Sequence, residues 1–163
     1  MNPHYIIDGY NVIHSLEKFR NALSAGLEQA RNELISLIRS YRSGKMVKVT
    51  VVFDGDEVGY IDGSRYTGQS LQVIYSKFPE KADPVIKRLI QKNRNKKAVV
   101  LVSADNALVQ FARQVKAQVL SPNEFYQRAT KHPSQDQVEQ KFDSQLSEKE
   151  VSEWLKLFKE GNR

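Results

Sequence analysis

Apolar residues along this chain change their spacing several times, and each change marks a new element. Tyr5-Ile6-Ile7 is a short continuous run that predicts a first strand. A short helical stretch is predicted near 13–20. A longer helix follows over about 23–41, where Leu27, Ala30, Leu34, Leu37, Ile38 and Tyr41 recur at spacings of three and four and so form one buried stripe. Gly44 ends that helix, because glycine enters the left-handed cap conformation at least cost. Val47–Phe53 alternates at first, with Lys48 and Thr50 between valines, then becomes wholly apolar, which predicts a central strand.

Residues 55–70 hold four glycines, several acids, Arg65 and two tyrosines, a composition that predicts a long loop or loose hairpin. A strand at Leu71–Tyr75 comes next. A helix from Ala82-Asp83 to about Asn93 carries Val85, Ile86, Leu89 and Ile90 inward, with Asp83 placed to cap it and Pro84 in its first turn. Ala98–Val102 predicts a buried strand, and 106–116 a helix with Leu108, Val109, Ala112 and Val115 on its apolar face. After a short last strand at Val119-Leu120, Ser121-Pro122-Asn123-Glu124 forms a capping box that opens a helix to about Thr130. Repeated strand-helix units predict an α/β fold: three α/β/α layers around a mainly parallel central sheet.

The periodicity stops at His132, and 132–146 reads as a polar linker. Ser147-Glu148-Lys149-Glu150 is a second capping box. Val151, Trp154, Leu155 and Phe158 follow at helical spacing, so 147–163 is expected to be an amphipathic helix. Its apolar face needs cover, either on the domain formed by 1–131 or on a protein partner or second subunit engaged through Trp154 and Phe158.

Composition narrows the chemistry. The 163 residues suit one domain with a tail, and the absence of cysteine excludes disulfides, thiolate zinc sites and a cysteine nucleophile. No leader and no apolar stretch near ~18 residues is visible, so no membrane association and a cytoplasmic location are expected. The net charge of +6 is uneven: 1–131 carries 20 Lys/Arg against 12 Asp/Glu, and 132–163 carries 5 against 7. A basic body favours a polyanion. Lys87, Arg88, Lys92, Arg94, Lys96 and Lys97 form the densest cluster, which reads either as a nucleic-acid surface or as a solvated helix face.

The acids carry the sharper signal. Asp8 and Asp54 end apolar strands, Asp105 follows a third after Ser103-Ala104, and Asp83 begins a helix at the same edge. Taken singly, each is an ordinary turn or cap residue. Together they lie at the carboxyl ends of parallel strands, where open α/β sheets bind ligands. Clustered carboxylates repel unless a cation compensates them, and hard oxygen donors without Cys or clustered His point to Mg²⁺ or Mn²⁺. Phosphodiester hydrolysis and metal-dependent phosphate binding both fit such a site on a basic body.

Four ordered motifs, Asp8-Gly9-Tyr10-Asn11, Val52-Phe53-Asp54-Gly55, Ala82-Asp83-Pro84-Val85-Ile86 and Val102-Ser103-Ala104-Asp105-Asn106, resemble the NYN domain family in its bacterial YacP-like branch. That family is similar to PIN-domain and 5′-nuclease folds, and the resemblance spans roughly 4–126. It implies a metal-dependent ribonuclease, an endoribonuclease acting on RNA with one or two Mg²⁺ or Mn²⁺ ions. It also implies a partner role for the ribosome or translation-linked RNA. Asp8 and Asp105 match as the strongest metal ligands, and Asp54 and Asp83 complete the site or orient water. Asn11 holds Asp8 or a water, Ser103 and Asn106 support the site, and Arg65 joins the basic cluster as an RNA contact. Pro84 departs from the family pattern, which often has a second acidic or polar residue there.

Two other readings remain open. The same site could bind RNA with little or no turnover. Val51-Val52-Phe53-Asp54-Gly55-Asp56 also resembles the nucleophile motif of haloacid-dehalogenase-type phosphatases, with Asp54 attacking phosphorus and Asp56 as general acid. That reading leaves Asp8 and Asp83 without a role.

Overall fold

The computed structural model describes residues 2–55 and 70–131. The chain divides into two compact units, Met1–Thr130 and Lys131–Arg163, and every element below belongs to the first. Arg65, Asp56 and the predicted helix bearing Trp154 and Phe158 lie outside the described residues.

Strands β1 (His4–Asp8), β2 (Lys48–Phe53), β3 (Leu71–Tyr75), β4 (Val99–Val102) and β5 (Gln118–Leu120) form one sheet in the order β3-β2-β1-β4-β5. Every pairing is parallel. Such a sheet has both faces covered, which explains why all four residues of β4 and five of the six in β2 are buried. Helices α1 (Gly9–Ser15), α2 (Glu17–Leu23), α3 (Leu27–Arg42), α4 (Ala82–Lys92), α5 (Asn106–Gln114) and α6 (Pro122–Thr130) supply that cover. The side-chain alternation of the strands sorts the core into two clusters. Tyr5 and Ile7 join Val12, Phe19, Leu34, Ile38 and Phe125 from α1, α2, α3 and α6, while Ile6 joins Ile86, Ile90, Leu108 and Ala112 from α4 and α5. The layered architecture is the expected one.

The first helical region differs from the sequence expectation. Helix α1 begins at Gly9, immediately after β1, and Leu16 separates it from α2 in an extended conformation. The helix predicted from residue 23 is interrupted at Gly26, whose φ of 124° leaves the helical region and lets α3 start afresh at Leu27. Leu27 consequently stands at the exposed start of α3, 42% accessible, rather than in the buried stripe. Gly44 does end α3, with φ 73°. The capping box also forms, Ser121 N–H donating to Glu124 Oε2 at 2.7 Å and Glu124 N–H to Ser121 Oγ at 3.1 Å.

Candidate functional site

From β1 the chain proceeds outward to β2 and β3, then crosses back to β4 and β5 on the other side. The carboxyl ends of β1 and β4 therefore flank the switch point, where a crevice opens between diverging connections. Ile7 pairs with Val102, so the next residues along, Asp8 and Ser103, meet at that point. Ser103 is 1% exposed and its Oγ donates to Asp8 Oδ2 at 3.1 Å. The same Oγ accepts the Asp105 N–H at 3.1 Å, which ties the turn after β4 to the end of β1.

Burial pushes the Asp8 carboxyl up to about 6, and the charges of Asp54 and Asp105 push in the same direction, while the Ser103 hydroxyl and the Asn11 amide oppose them. Three acids from β1, β2 and β4 therefore share one electrostatic neighbourhood. Asp105 is the exposed N-cap of α5 and accepts the Leu108 N–H at 3.1 Å; Asn106 is the exposed first residue of that helix. Asn11 bonds to Asp8 through its backbone N–H, and its side-chain Oδ1 accepts the Ala104 N–H at 2.8 Å, which fastens the β4–α5 turn to α1.

The cap of α4 is also reassigned. Asp54, not Asp83, satisfies its first amide, with Asp54 Oδ1 accepting the Ala82 N–H at 2.6 Å. Asp83 lies one residue inside the helix and pairs with Lys87 at 3.1 Å. A Cβ on Gly55 would strike the Ser76 carbonyl, so the backbone after Asp54 can pass here only as glycine.

An open cavity of about 380 Å³ is lined by Asp8, Asp54, Tyr10, Asn11, His14 and Leu27. Sequence reasoning missed three of these walls. Tyr10 and His14 are four apart on α1 and so share a face, and Leu27 is brought in by the break at Gly26. Tyr10 packs against Phe53 at 5.0 Å, and Phe53 stacks on Tyr75 at 5.6 Å. Gly9 makes the first contact possible, because a Cβ there would run into the Phe53 ring. Arg31 Nη1 donates to the Tyr10 hydroxyl at 2.8 Å, and its guanidinium lies 5.8 Å from the centre of the Tyr75 ring.

The far part of the predicted basic cluster is not beside these acids. Helix α4 starts at the Asp54 edge and runs about 16 Å at ~1.5 Å per residue, so Lys92, Arg94, Lys96 and Lys97 emerge at the opposite edge, where Asn93 meets His4 at the start of β1. Lys87 pairs with Asp83 and Arg88 with Glu80, while Lys96 donates to the carbonyls of Gln91 and Asn93. Lys92, Arg94 and Lys97 are exposed.

Among the described residues, no group of three or more His, Cys, Asp or Glu side chains converges on a point that could hold a metal ion. The pair at the cavity wall, Asp8 and Asp54, is a smaller donor set. It fits Mg²⁺ chemistry, in which one or two carboxylates suffice and water or substrate phosphate completes the shell. A cation there would also offset the burial, and the smaller effect of the Asp54 and Asp105 charges, that raise the Asp8 pKa.

The fold and site define a doubly wound α/β domain with an acidic site at its switch point. The chain belongs to the YacP-like NYN domain family, whose match covers residues 5–159 and thus extends into the predicted C-terminal helix. It is 30% identical to the YacP protein of Bacillus subtilis (strain 168) over 107 residues, 66% of this chain and 62% of that relative's length. The crystal structure of Rae1 (YacP) from Bacillus subtilis is similar with a TM-score of 0.62 at 25% identity, covering 100% of this chain and 95% of that one. The W164L mutant of the same protein gives a TM-score of 0.64 at 23% identity, over 87% and 80% of the two chains. Family membership leaves the dehalogenase-type reading without a basis in kinship. No helix of the described residues is long and apolar enough to cross a membrane.

Proposed function

We propose that this chain is a Mg²⁺- or Mn²⁺-dependent ribonuclease that cuts RNA internally, acting in the cytoplasm. The reading rests on one observation above the others: Asp8 and Asp54, from adjacent strands, face one open cavity at the switch point of the sheet. A divalent ion bound there would supply an activated water and neutralise charge on the phosphate. Asp8 and Asp54 would hold it, and Asp105 would add negative potential from the exposed side. Ser103 orients Asp8 and, by accepting the Asp105 backbone N–H, ties the turn that carries Asp105 to it. Asn11 keeps the turn that carries Asp105 closed against α1. Asp83, paired with Lys87, contributes charge at the rim of α4 and not a ligand to this ion. The net positive body would attract the RNA. Translation-linked RNA is the substrate class that the family resemblance suggests.

The test is incubation of wild-type protein with mixed RNA in Mg²⁺ and in Mn²⁺, beside Asp8→Asn and Asp54→Asn. Metal-dependent internal cuts, lost in Asp8→Asn with the fold intact, are expected. Binding without cuts under both metals would instead establish an RNA-binding module.

A further inference from the structure

The cavity is lined by residues of unlike chemistry, and the nuclease reading uses only some of them. Beside Asp8, Asp54 and Asn11, its lining includes Tyr10, His14 and Leu27. A single exposed leucine on a surface needs no explanation. This one forms a wall of a cavity that also holds an aromatic ring, and the φ of Gly26 sets where α3 begins. The ring itself is held on two sides, by Phe53 at 5.0 Å and by the Arg31 guanidinium on its hydroxyl at 2.8 Å. Such restraint fixes the wall before any ligand arrives, which lowers the ordering cost of binding.

We propose that Tyr10, His14 and Leu27 form a nucleobase subsite that takes the unpaired base next to the scissile phosphate, with Arg31 as the residue that positions Tyr10. The proposal rests on the ribonuclease reading and deepens it by naming the substrate class as RNA that is single-stranded at the cut. A base offers flat apolar faces to Leu27 and the tyrosine ring and polar edges to the imidazole, and its own phosphate then lies toward the carboxylates. The cavity, about 380 Å³, falls within the ~300–1,000 Å³ usual for small-molecule sites. A paired base in a duplex is stacked between neighbours and cannot enter, so duplex RNA is excluded at this position.

The experiment is a two-by-two cycle of wild type and Leu27→Asp against a short single-stranded RNA and the same RNA with one abasic ribose beside the mapped cut. Cleavage is followed in Mn²⁺, and binding is followed separately by fluorescence anisotropy without metal. Loss of the base and Leu27→Asp should each weaken both readouts about tenfold, and the two together no more than either alone. Leu27 is 42% exposed, so the melting temperature should not move, and Leu27→Ala, with a smaller loss in the same direction, guards against a folding artefact. Independent losses that multiply to about a hundredfold, or no loss from either change, overturn the subsite. Wild-type protein that cuts no RNA in either metal defeats the nuclease reading alone. The abasic ribose is then placed at each position of the RNA in turn, and the anisotropy cycle decides the subsite by the same criterion: losses that multiply at every position overturn it.

Discussion

Ser103 Oγ donates to Asp8 Oδ2 at 3.1 Å across the boundary between β1 and β4, and it does so from a fully buried position. The hydroxyl is the main group that favours the ionised form of Asp8 against burial and against the charges of Asp54 and Asp105. Ser103→Ala should therefore raise the Asp8 pKa further. In a pH profile of RNA cleavage the acid limb should move toward higher pH, and the rate at neutral pH should fall by roughly two- to fifteenfold, the loss of ionised Asp8 that follows from removing a hydrogen bond worth ~1.5–3 kcal/mol to a charged group. The Asp105 amide loses its acceptor in the same variant. An unchanged acid limb would separate Ser103 from the ionisation of Asp8.

Asp8 itself opposes folding at neutral pH. Its folded pKa of about 6 lies above the ordinary value of 3.8, so between those values the folded chain keeps a proton that the unfolded chain has released. Stability accordingly falls as pH rises from about 4 through about 6 and remains lower above that. The shift corresponds to roughly 2–3 kcal/mol at pH 7. Asp8→Asn removes the charge, so it should unfold at higher urea than wild type at pH 7.5 in metal-free buffer, with the gain shrinking toward zero near pH 4. Added Mg²⁺ should narrow the gap by stabilising wild type only. A variant no more stable than wild type at pH 7.5 would contradict the burial assigned to this carboxylate.

How much of this was legible in the sequence depends on the range of the signal. The strands and α4 to α6 could be read because each carries its own apolar period and, for α6, its own capping box. The start of α1 could not, since Gly9-Tyr10-Asn11 has turn chemistry and the close approach of the Gly9 backbone to Phe53 is a contact distant in sequence. The acids at the sheet edge were legible from strand endings, yet their partners were not. Asp54 caps α4 across 28 residues, and Arg31 reaches Tyr10 across 21, contacts that depend on register and crossover. Adjacency in sequence misled for the basic cluster, because a helix of three turns carries its far end to the other side of the sheet.

Asp54 serves two purposes that mutation can separate. Its Oδ1 accepts the Ala82 N–H at 2.6 Å, while the residue also lines the cavity beside Asp8. Asp54→Ala should cost about 1 kcal/mol, the usual loss for a helix cap, together with RNA cleavage. Asp54→Asn keeps an acceptor oxygen for the amide and should retain most of that stability while still losing cleavage. Thermal melts and cleavage assays on the two variants distinguish the roles. Equal destabilisation by both substitutions would mean that charge, and not the cap, supports the start of α4.

The basic residues beyond α4 make a separate prediction because they are remote from the acids. Lys92, Arg94 and Lys97 are exposed, whereas Lys96 closes off carbonyls at the end of α4, so the triple substitution Lys92→Ala, Arg94→Ala and Lys97→Ala should leave the fold intact. If RNA crosses this edge, three phosphate contacts are lost. The slope of log affinity against log salt should then flatten by about 2, at ~0.7 per contact for a single strand. Cleavage at saturating RNA should change less than twofold, since nothing at the cavity has been altered. Anisotropy titrations at several salt concentrations measure the slope. An unchanged slope would show that RNA reaches the cavity without using this edge.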